Sequence, residues 1–330
     1  MGRKARRILA ILAIGACLPG IWLSARRLPL EAHELIEKKY AGWNGVLRVW
    51  ACEDWTEDGL TGWLNRCAAA FEKGHSGVYV EVKSVTPAAL AAWQTFGAQP
   101  PDMILFPPGA LDTADGLAAL DDLPLRAELQ DCGQGFAAPV ALGGYAWAVN
   151  ESASGVAAPP DEAGRCWSKA VQALDAPGSA PEEAEIELPG IDLGLPALAA
   201  QDVQWDENAL KRFMAGELGA AAVSRKEIRR LESLSAQGKG PDWHLEAGGA
   251  PWTDLAVYLG IRAAEDEKEA LCREYLSALL SAENQSLLSR WDFFAVTDAP
   301  SGYGQTDALA ALDLALRREG LTVAAPFGPS

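Results

Sequence analysis

The sequence predicts an α/β protein in two lobes, each a sheet flanked by helices, and three observations predict it. Short apolar runs alternate with helical stripes along the first third of the chain, the pattern of a largely parallel sheet. At 330 residues the chain exceeds the length at which one hydrophobic core usually stops growing. Its 49% hydrophobic and 22% charged content is that of an ordinary globular protein, so disorder is not the default.

Residues 1–30 stand outside the fold. Arg3, Lys4, Arg6 and Arg7 precede a hydrophobic stretch from Ile8 to Leu23, which Arg26 and Arg27 close, the form of an export signal or membrane anchor. The stretch is a little short of the about 20 residues that span a bilayer unaided, a gap that bilayer thinning and snorkelling arginines can close. Cleavage and retention both remain open. Ile14-Gly15-Ala16-Cys17 has the small-residue-then-cysteine form of a bacterial lipobox, which makes Cys17 a lipidation candidate. Leu18, Ile21, Trp22 and Leu23 stay apolar after it, as in an uncleaved anchor. Under both readings the fold is expected at the cell surface, on the outer face of the bacterial cytoplasmic membrane. Residues 31–45 read as a charged stalk.

The first strand is expected around Val46, Leu47, Val49 and Trp50, the second where Val78, Val80 and Val82 alternate with Tyr79, Glu81 and Lys83, and the third over Met103–Phe106. Between the first two, Leu60, Trp63, Leu64, Cys67 and Phe71 recur at helical spacing until Gly74. Between the next two, Pro87 opens a helix carrying Leu90, Trp93 and Phe96. Crossovers of this kind are right-handed, and ligands collect at the carboxyl ends of the strands, here the loops 52–58 and 107–112. Residues 155–194 are rich in Ala, Pro, Gly and Glu and read as surface loops with one short helix around Trp167–Leu174. Trp205–Met214 is expected to be helical, Gly219–Val223 a strand, Arg225–Ser235 a helix and Leu255–Ile261 a further apolar run. Leu271, Tyr275, Leu276, Leu279 and Leu280 mark another helix, and Asp307–Arg318 the last.

Charge narrows the function. The first 30 residues hold six of the 28 basic residues and none of the 45 acidic ones, which leaves a net charge of −23 on the remainder. Such a surface repels nucleic acid. Cys52, Cys67, Cys132, Cys166 and Cys272 show no CxxC and no regular spacing, as expected of small buried thiols. His33, His75 and His244 offer no paired metal-ligand spacing, and no GxSxG, P-loop or GxGxxG occurs. No enzyme motif, no histidine-built metal site and no cofactor is expected.

Several segments carry a family resemblance in their order and spacing: VLRVW, WLNRCAAAFEKGHSGVYVEVKSV, PPDMILFPPG and APVALGGYAWAVN, then FMAGELGAAAVS, TDLAVYLGI and AEDEKEALCREYLSALLSAENQSLLSRWDFFAV. Over roughly residues 46–300 the chain resembles the extracellular solute-binding proteins of ABC importers, maltose-binding type. The resemblance implies a type II periplasmic-binding-protein-like fold, two lobes joined by a hinge of two or three crossing strands and closing on a solute. It places lobe 1 at 46–145 plus 256–297 and lobe 2 at 146–255 plus 298–330. Ala141–Asn150 is then the first crossing, Trp252–Ile261 the return, and the chain after Val296 the last. The implied partners are a small solute, a sugar first, and the transmembrane subunits of an ABC permease. The chain departs from the family in one respect: only about 60 residues separate the first crossing from FMAGELGAAAVS, so the second lobe is shortened. A scaffold or sensor whose cleft is degenerate is the alternative.

Sugar sites pair aromatic platforms with carboxylates, amides and backbone groups. Trp50, Trp63, Trp93 and Trp147 sit on periodic apolar runs and are expected in the core. Trp55 instead follows Glu53 and Asp54 in the loop after the first strand, which makes these three the leading solute contacts. Gly109 would let backbone amides approach a ligand. Tyr145, beside Gly143 and Gly144 at the expected hinge, could turn its hydroxyl into the cleft. Ser224 and Arg225 open a helix whose N-terminal amides favour an anion, although Glu227 and Glu232 are also placed to pair with the arginines of that helix. Trp252, at the return strand, is the second aromatic candidate.

Overall fold

The computed structural model of the protein describes residues 43–52, 60–95, 100–151, 165–167, 203–205, 208–246, 252–253, 255–264, 266–317 and 321–327. Strand β1 (Gly45–Cys52) leads through helix α1 (Leu60–Gly74) to β2 (Val78–Val85), then through the short α2 (Pro87–Ala91) to β3 (Met103–Phe106). Thr86 caps α2 by accepting the Ala89 amide, Pro87 stands in its first turn, and a 3-10 turn over Trp93–Thr95 replaces the longer helix expected to Phe96. Phe96 itself lies outside the described residues.

Next come β4 (Ala138–Leu142) and β5 (Tyr145–Asn150), then β6 (Arg165–Trp167) and β7 (Val203–Trp205). These are followed by α3 (Ala209–Met214), β8 (Ala220–Ser224), α4 (Arg225–Ser235) and β9 (Trp243–Glu246). The chain then passes through β10 (Trp252–Thr253) to β11 (Ala256–Ile261), α5 (Asp266–Leu279), α6 (Ala282–Ser286), α7 (Ala308–Leu316) and β12 (Thr322–Val323). Two expectations are corrected here. Trp205 and Trp167, each expected to open a helix, are cross-strand partners in a parallel ladder, Trp167 against Trp205, while residues 168–174 of the expected short helix lie outside the described residues. The helix expected from Trp205 begins only at Ala209, because Val203–Trp205 extends the sheet that β6 already continues from β8.

The strands form two five-stranded sheets of one design. The first runs β2-β1-β3-β11-β4, with β1 parallel to β2 and β3, and β11 antiparallel to both β3 and β4. The second runs β7-β6-β8-β5-β9, with β6 parallel to β7 and β8, and β5 antiparallel to both β8 and β9. In each sheet the antiparallel strand is the one that enters from the other sheet, β5 from the first and β11 from the second. The molecule is therefore mixed α/β and two-lobed, and each lobe contains chain from both sides of the crossings.

Apolar burial holds the first lobe. α1 lays Leu60, Trp63, Leu64, Cys67, Ala68 and Phe71 against the sheet, and α5 covers it with Tyr275, Leu276 and Leu279. Trp50, Trp63, Trp93 and Trp147 are all buried, as their spacing predicts. At the amino end of β3, Asp102 is almost sealed from solvent and accepts the Arg48 amide at 2.9 Å and the Lys268 ammonium at 2.6 Å. This polar fastener lies at the opposite end of the sheet from the carboxyl ends of the parallel strands.

Candidate functional site

The two sheets meet at residues 142–145. β4 runs in the direction of β3, since both oppose β11, so Leu142 and Phe106 end at the same side of the first sheet. Beyond Gly143 and Gly144, Tyr145 opens β5 opposite Ser224, the carboxyl end of β8. The carboxyl ends of the parallel strands in both lobes therefore point at the same junction, which is where a solute site belongs in a sheet of this kind.

The junction is a built hinge. Gly143 donates its amide to Leu255, and the Thr253 hydroxyl, fully buried, donates to the Gly143 carbonyl at 3.0 Å while accepting the Leu255 amide at 3.0 Å. The two crossing segments are thus tied to each other. β12 adds a third, parallel to β10 and paired through Trp252 with Thr322 and Thr253 with Val323. The glycines serve close approach: a Cβ on Gly143 would stand 2.7 Å from Leu255 Cβ, and one on Gly144 would stand 2.7 Å from Leu316 Cδ1. Neither has a positive φ, so their role here is space and not the left-handed backbone.

The tail beyond β12 returns to the first sheet, although the sequence places 298–330 with the second lobe. Tyr258 donates its hydroxyl to Ala324 at 2.8 Å, Phe327 pairs with Leu111 and its ring lies 6.0 Å from that of Phe106. Apolar contact with the end of β3 draws the tail across, while α7 remains on the second lobe beside α4 and β9.

Of the expected site residues, Tyr145, Ser224 and Arg225 are brought together at the hinge end of the second sheet. Tyr145 is buried, at 8% exposure. Ser224 caps α4 in a capping box, in which Glu227 accepts the Ser224 amide at 2.9 Å. That carboxylate answers part of the helix terminus whose amides favour an anion. Arg225, also at 8% exposure, lays its guanidinium 3.8 Å from the centre of the Phe293 ring and donates to the Trp291 carbonyl at 3.1 Å. Its charge is turned to the protein's own residues 291–293.

Gly109 stands apart from this group at the end of β3. It adopts the left-handed φ of +71° that favours glycine, and its amide, expected to meet a ligand, donates to the Pro326 carbonyl at 3.0 Å. Trp252 is on the hinge strand β10. Glu53, Asp54 and Trp55, and the lipidation candidate Cys17, lie outside the described residues.

Residues that the sequence did not single out complete the region. Gln285, almost fully buried, donates to the Val140 and Leu279 carbonyls and accepts the Val296 amide, which fixes segment 294–296 to β4. Arg229, one turn after Arg225, binds Asp292, Asp307 and Glu232 at 2.7–3.0 Å, and these carboxylates outweigh partial burial and hold its charge firmly. Its i, i+3 partner Glu232 was legible in the helical pattern, but the long-range partners Asp292 and Asp307 were not.

The described thiols are unreactive. Burial pushes the Cys67 and Cys272 thiols up to about 12 and that of Cys132 to about 11, which leaves them protonated and inert at neutral pH. Among the described residues no three His, Cys, Asp or Glu side chains are grouped to hold a metal, and no helix is long and apolar enough to cross a membrane. A groove of about 630 Å³ opens on the second lobe between Glu151, Asp242, Trp243, Ser235 and Asp307. It lies at the far ends of β5 and α4 from the hinge and contains none of the expected site residues.

Solved structures share this architecture. The maltodextrin-binding protein MalE1 from L. casei superposes with a TM-score of 0.56 at 11% identity, covering 87% of this chain and 89% of that one. The cyclic alpha-maltosyl-1,6-maltose binding protein from Arthrobacter globiformis gives 0.55 at 12%, covering 87% and 90%. Iron-bound HitA from Pseudomonas aeruginosa gives 0.50 at 17%, covering 81% and 92%. No protein-family model and no curated protein sequence matches the chain. The chain has the fold of the two-lobed type II periplasmic binding proteins, the fold that the sequence resemblance implies.

Proposed function

We propose that the protein is an extracellular solute-binding receptor that captures a small solute, a carbohydrate first, between its lobes and delivers it to an ABC permease. The observation that carries this reading is the convergence of the strand carboxyl ends of both sheets on a hinge of crossing strands, the mechanical requirement for capture by closure. The similar folds include proteins described as binding maltodextrin, a cyclic maltosyl-maltose and iron, so the fold by itself does not select the solute. A neutral solute suits this chain better than an anion, since Arg225 and the α4 terminus are already engaged with Phe293, Trp291 and Glu227. Glu53, Asp54 and Trp55 remain the proposed first-lobe contacts and Tyr145 a second-lobe one. Residues 1–30 are proposed to hold the receptor on the outer face of the membrane, and the mass of the mature N-terminus distinguishes lipidated Cys17 from an intact anchor.

Thermal melting against a panel of mono-, malto- and cyclic oligosaccharides tests the reading. Saturable stabilisation by one solute class is expected, amounting to about 2.7 kcal/mol at a hundredfold excess over Kd. Silence across the panel favours the second reading, a surface scaffold of the same fold. That alternative draws support from the Gly109 amide and the Arg225 guanidinium, both satisfied within the protein itself.

A further inference from the structure

Residues 287–293 are held to the first lobe from three directions. Phe294 exchanges two backbone hydrogen bonds with Leu142 at the end of β4, and Gln285 ties Val296 to Val140. Trp291 lies against Gly62 in α1, so closely that a Cβ there would come within 2.8 Å of its indole nitrogen. Helix α4 belongs to the second lobe, continuing directly from β8. Every contact between α4 and 291–293 therefore spans the two lobes.

Those contacts are strong in kind. Arg225 places its guanidinium on the Phe293 ring and donates to the Trp291 carbonyl. Arg229 meets Asp292 at 2.8 Å through one nitrogen and at 2.9 Å through another, while a two-point bond to Asp307 and an ion pair to Glu232 fix its orientation from the second-lobe side. Asp292 ends the 3-10 turn over Leu287–Trp291 in the left-handed conformation, with φ of +59°.

We propose that Arg225 and Arg229 form an inter-lobe clasp that, together with the hinge strands, fixes how the two lobes sit relative to each other. The clasp deepens the proposed function and rests on the two-lobed reading, because it sets how much of the closing free energy a solute must supply. Whatever preference the clasp sets between lobe arrangements changes the apparent affinity for a solute by the same factor, so loss of the clasp alters how the lobes move in the absence of solute.

Electron–electron distance measurement on the full-length chain tests the proposal without solute. Spin labels are placed at the exposed positions Ser84→Cys in the first lobe and Lys239→Cys in the second, in a background carrying Cys17→Ser and Cys166→Ser. One narrow distance distribution is expected with the clasp intact. The Arg225→Ala, Arg229→Ala double variant should shift and broaden it. Asp292→Gly should do the same from the first-lobe side, leaving α4 untouched and suiting the positive φ, so it decides the matter if the double variant does not fold. An unchanged distribution in folded Asp292→Gly overturns the clasp. Because no solute is present, that result leaves solute capture standing, whereas silence in the thermal panel with a shifted distribution removes capture and keeps the clasp.

Discussion

Helix α1 in the first lobe and helix α4 in the second both leave the carboxyl end of a parallel strand, and they are fastened by different forces. α1 buries six residues, all uncharged and led by Trp63 and Phe71. α4 buries Arg225 and Glu227 together with Ile228 and Leu231. The strands differ likewise: β3 is Met-Ile-Leu-Phe, whereas β8, at the same place in its sheet, is Ala-Ala-Ala-Val-Ser. At about 25 cal/mol per Å² of apolar surface, the smaller side chains of β8 contribute less hydrophobic stabilisation. Charge pairs and a capping box supplement it. Apolar packing thus fastens α1, whereas α4 relies in larger part on directional bonds.

The largest effect is expected at Trp63, which is fully buried and donates its indole N–H to the Asn284 carbonyl at 2.9 Å. Trp63→Ala should cost about 3–5 kcal/mol in chemical denaturation. A loss below about 1 kcal/mol would show that apolar packing of α1 is not what holds the first lobe. At the hinge between the lobes, Gly143→Ala forces a Cβ onto that of Leu255, on a backbone with little room to yield. A loss of about 1–3 kcal/mol is expected, with a changed inter-lobe distance as its specific mark.

In the second lobe, Ser224→Ala removes the N-cap of α4 and should cost about 1 kcal/mol. Its effect should also appear as faster amide exchange over the first turn of α4, while α1 is unchanged. The smallest effect belongs to His75, at the end of α1. Burial lowers its pKa, but hydrogen bonds to the Phe71 carbonyl and the Glu274 carboxylate outweigh burial and raise it above the ordinary 6.5. The protonated form is favoured in the folded state, so its contribution is fully present below the unfolded pKa and fades as pH rises through the raised folded value. The difference in melting temperature between the native chain and His75→Gln should therefore be larger at pH 5.5 than at pH 8. Equal differences at both would show that Glu274 does not pair with the imidazolium.

Much of the first lobe is legible because its elements are local: alternation in Val78–Val82, helical spacing in Leu60–Phe71 and the Pro87 start each carry their own signal. The two-lobed α/β architecture follows from their order together with chain length. The second lobe is less legible. Three-residue strands such as Val203–Trp205 are too short to establish a period, so propensity favoured helix where parallel pairing won. The family resemblance puts Tyr145 at the hinge, and the sequence puts Ser224 and Arg225 at the start of a helix. What Arg225 does there could not be read, since Phe293 and Trp291 lie 68 and 66 positions away and nothing local announces them. The same holds for the Gly109 amide, whose acceptor Pro326 comes from the opposite end of the chain.

Capture as proposed requires that a solute be held between the two lobes. Its most direct test is hydrogen exchange on the full-length chain with and without the sugar that gives the largest thermal stabilisation. The account predicts slower exchange at saturation both in residues 107–112 of the first lobe and in residues 224–227 of the second. Protection confined to one of these segments, with the other unchanged, would contradict it.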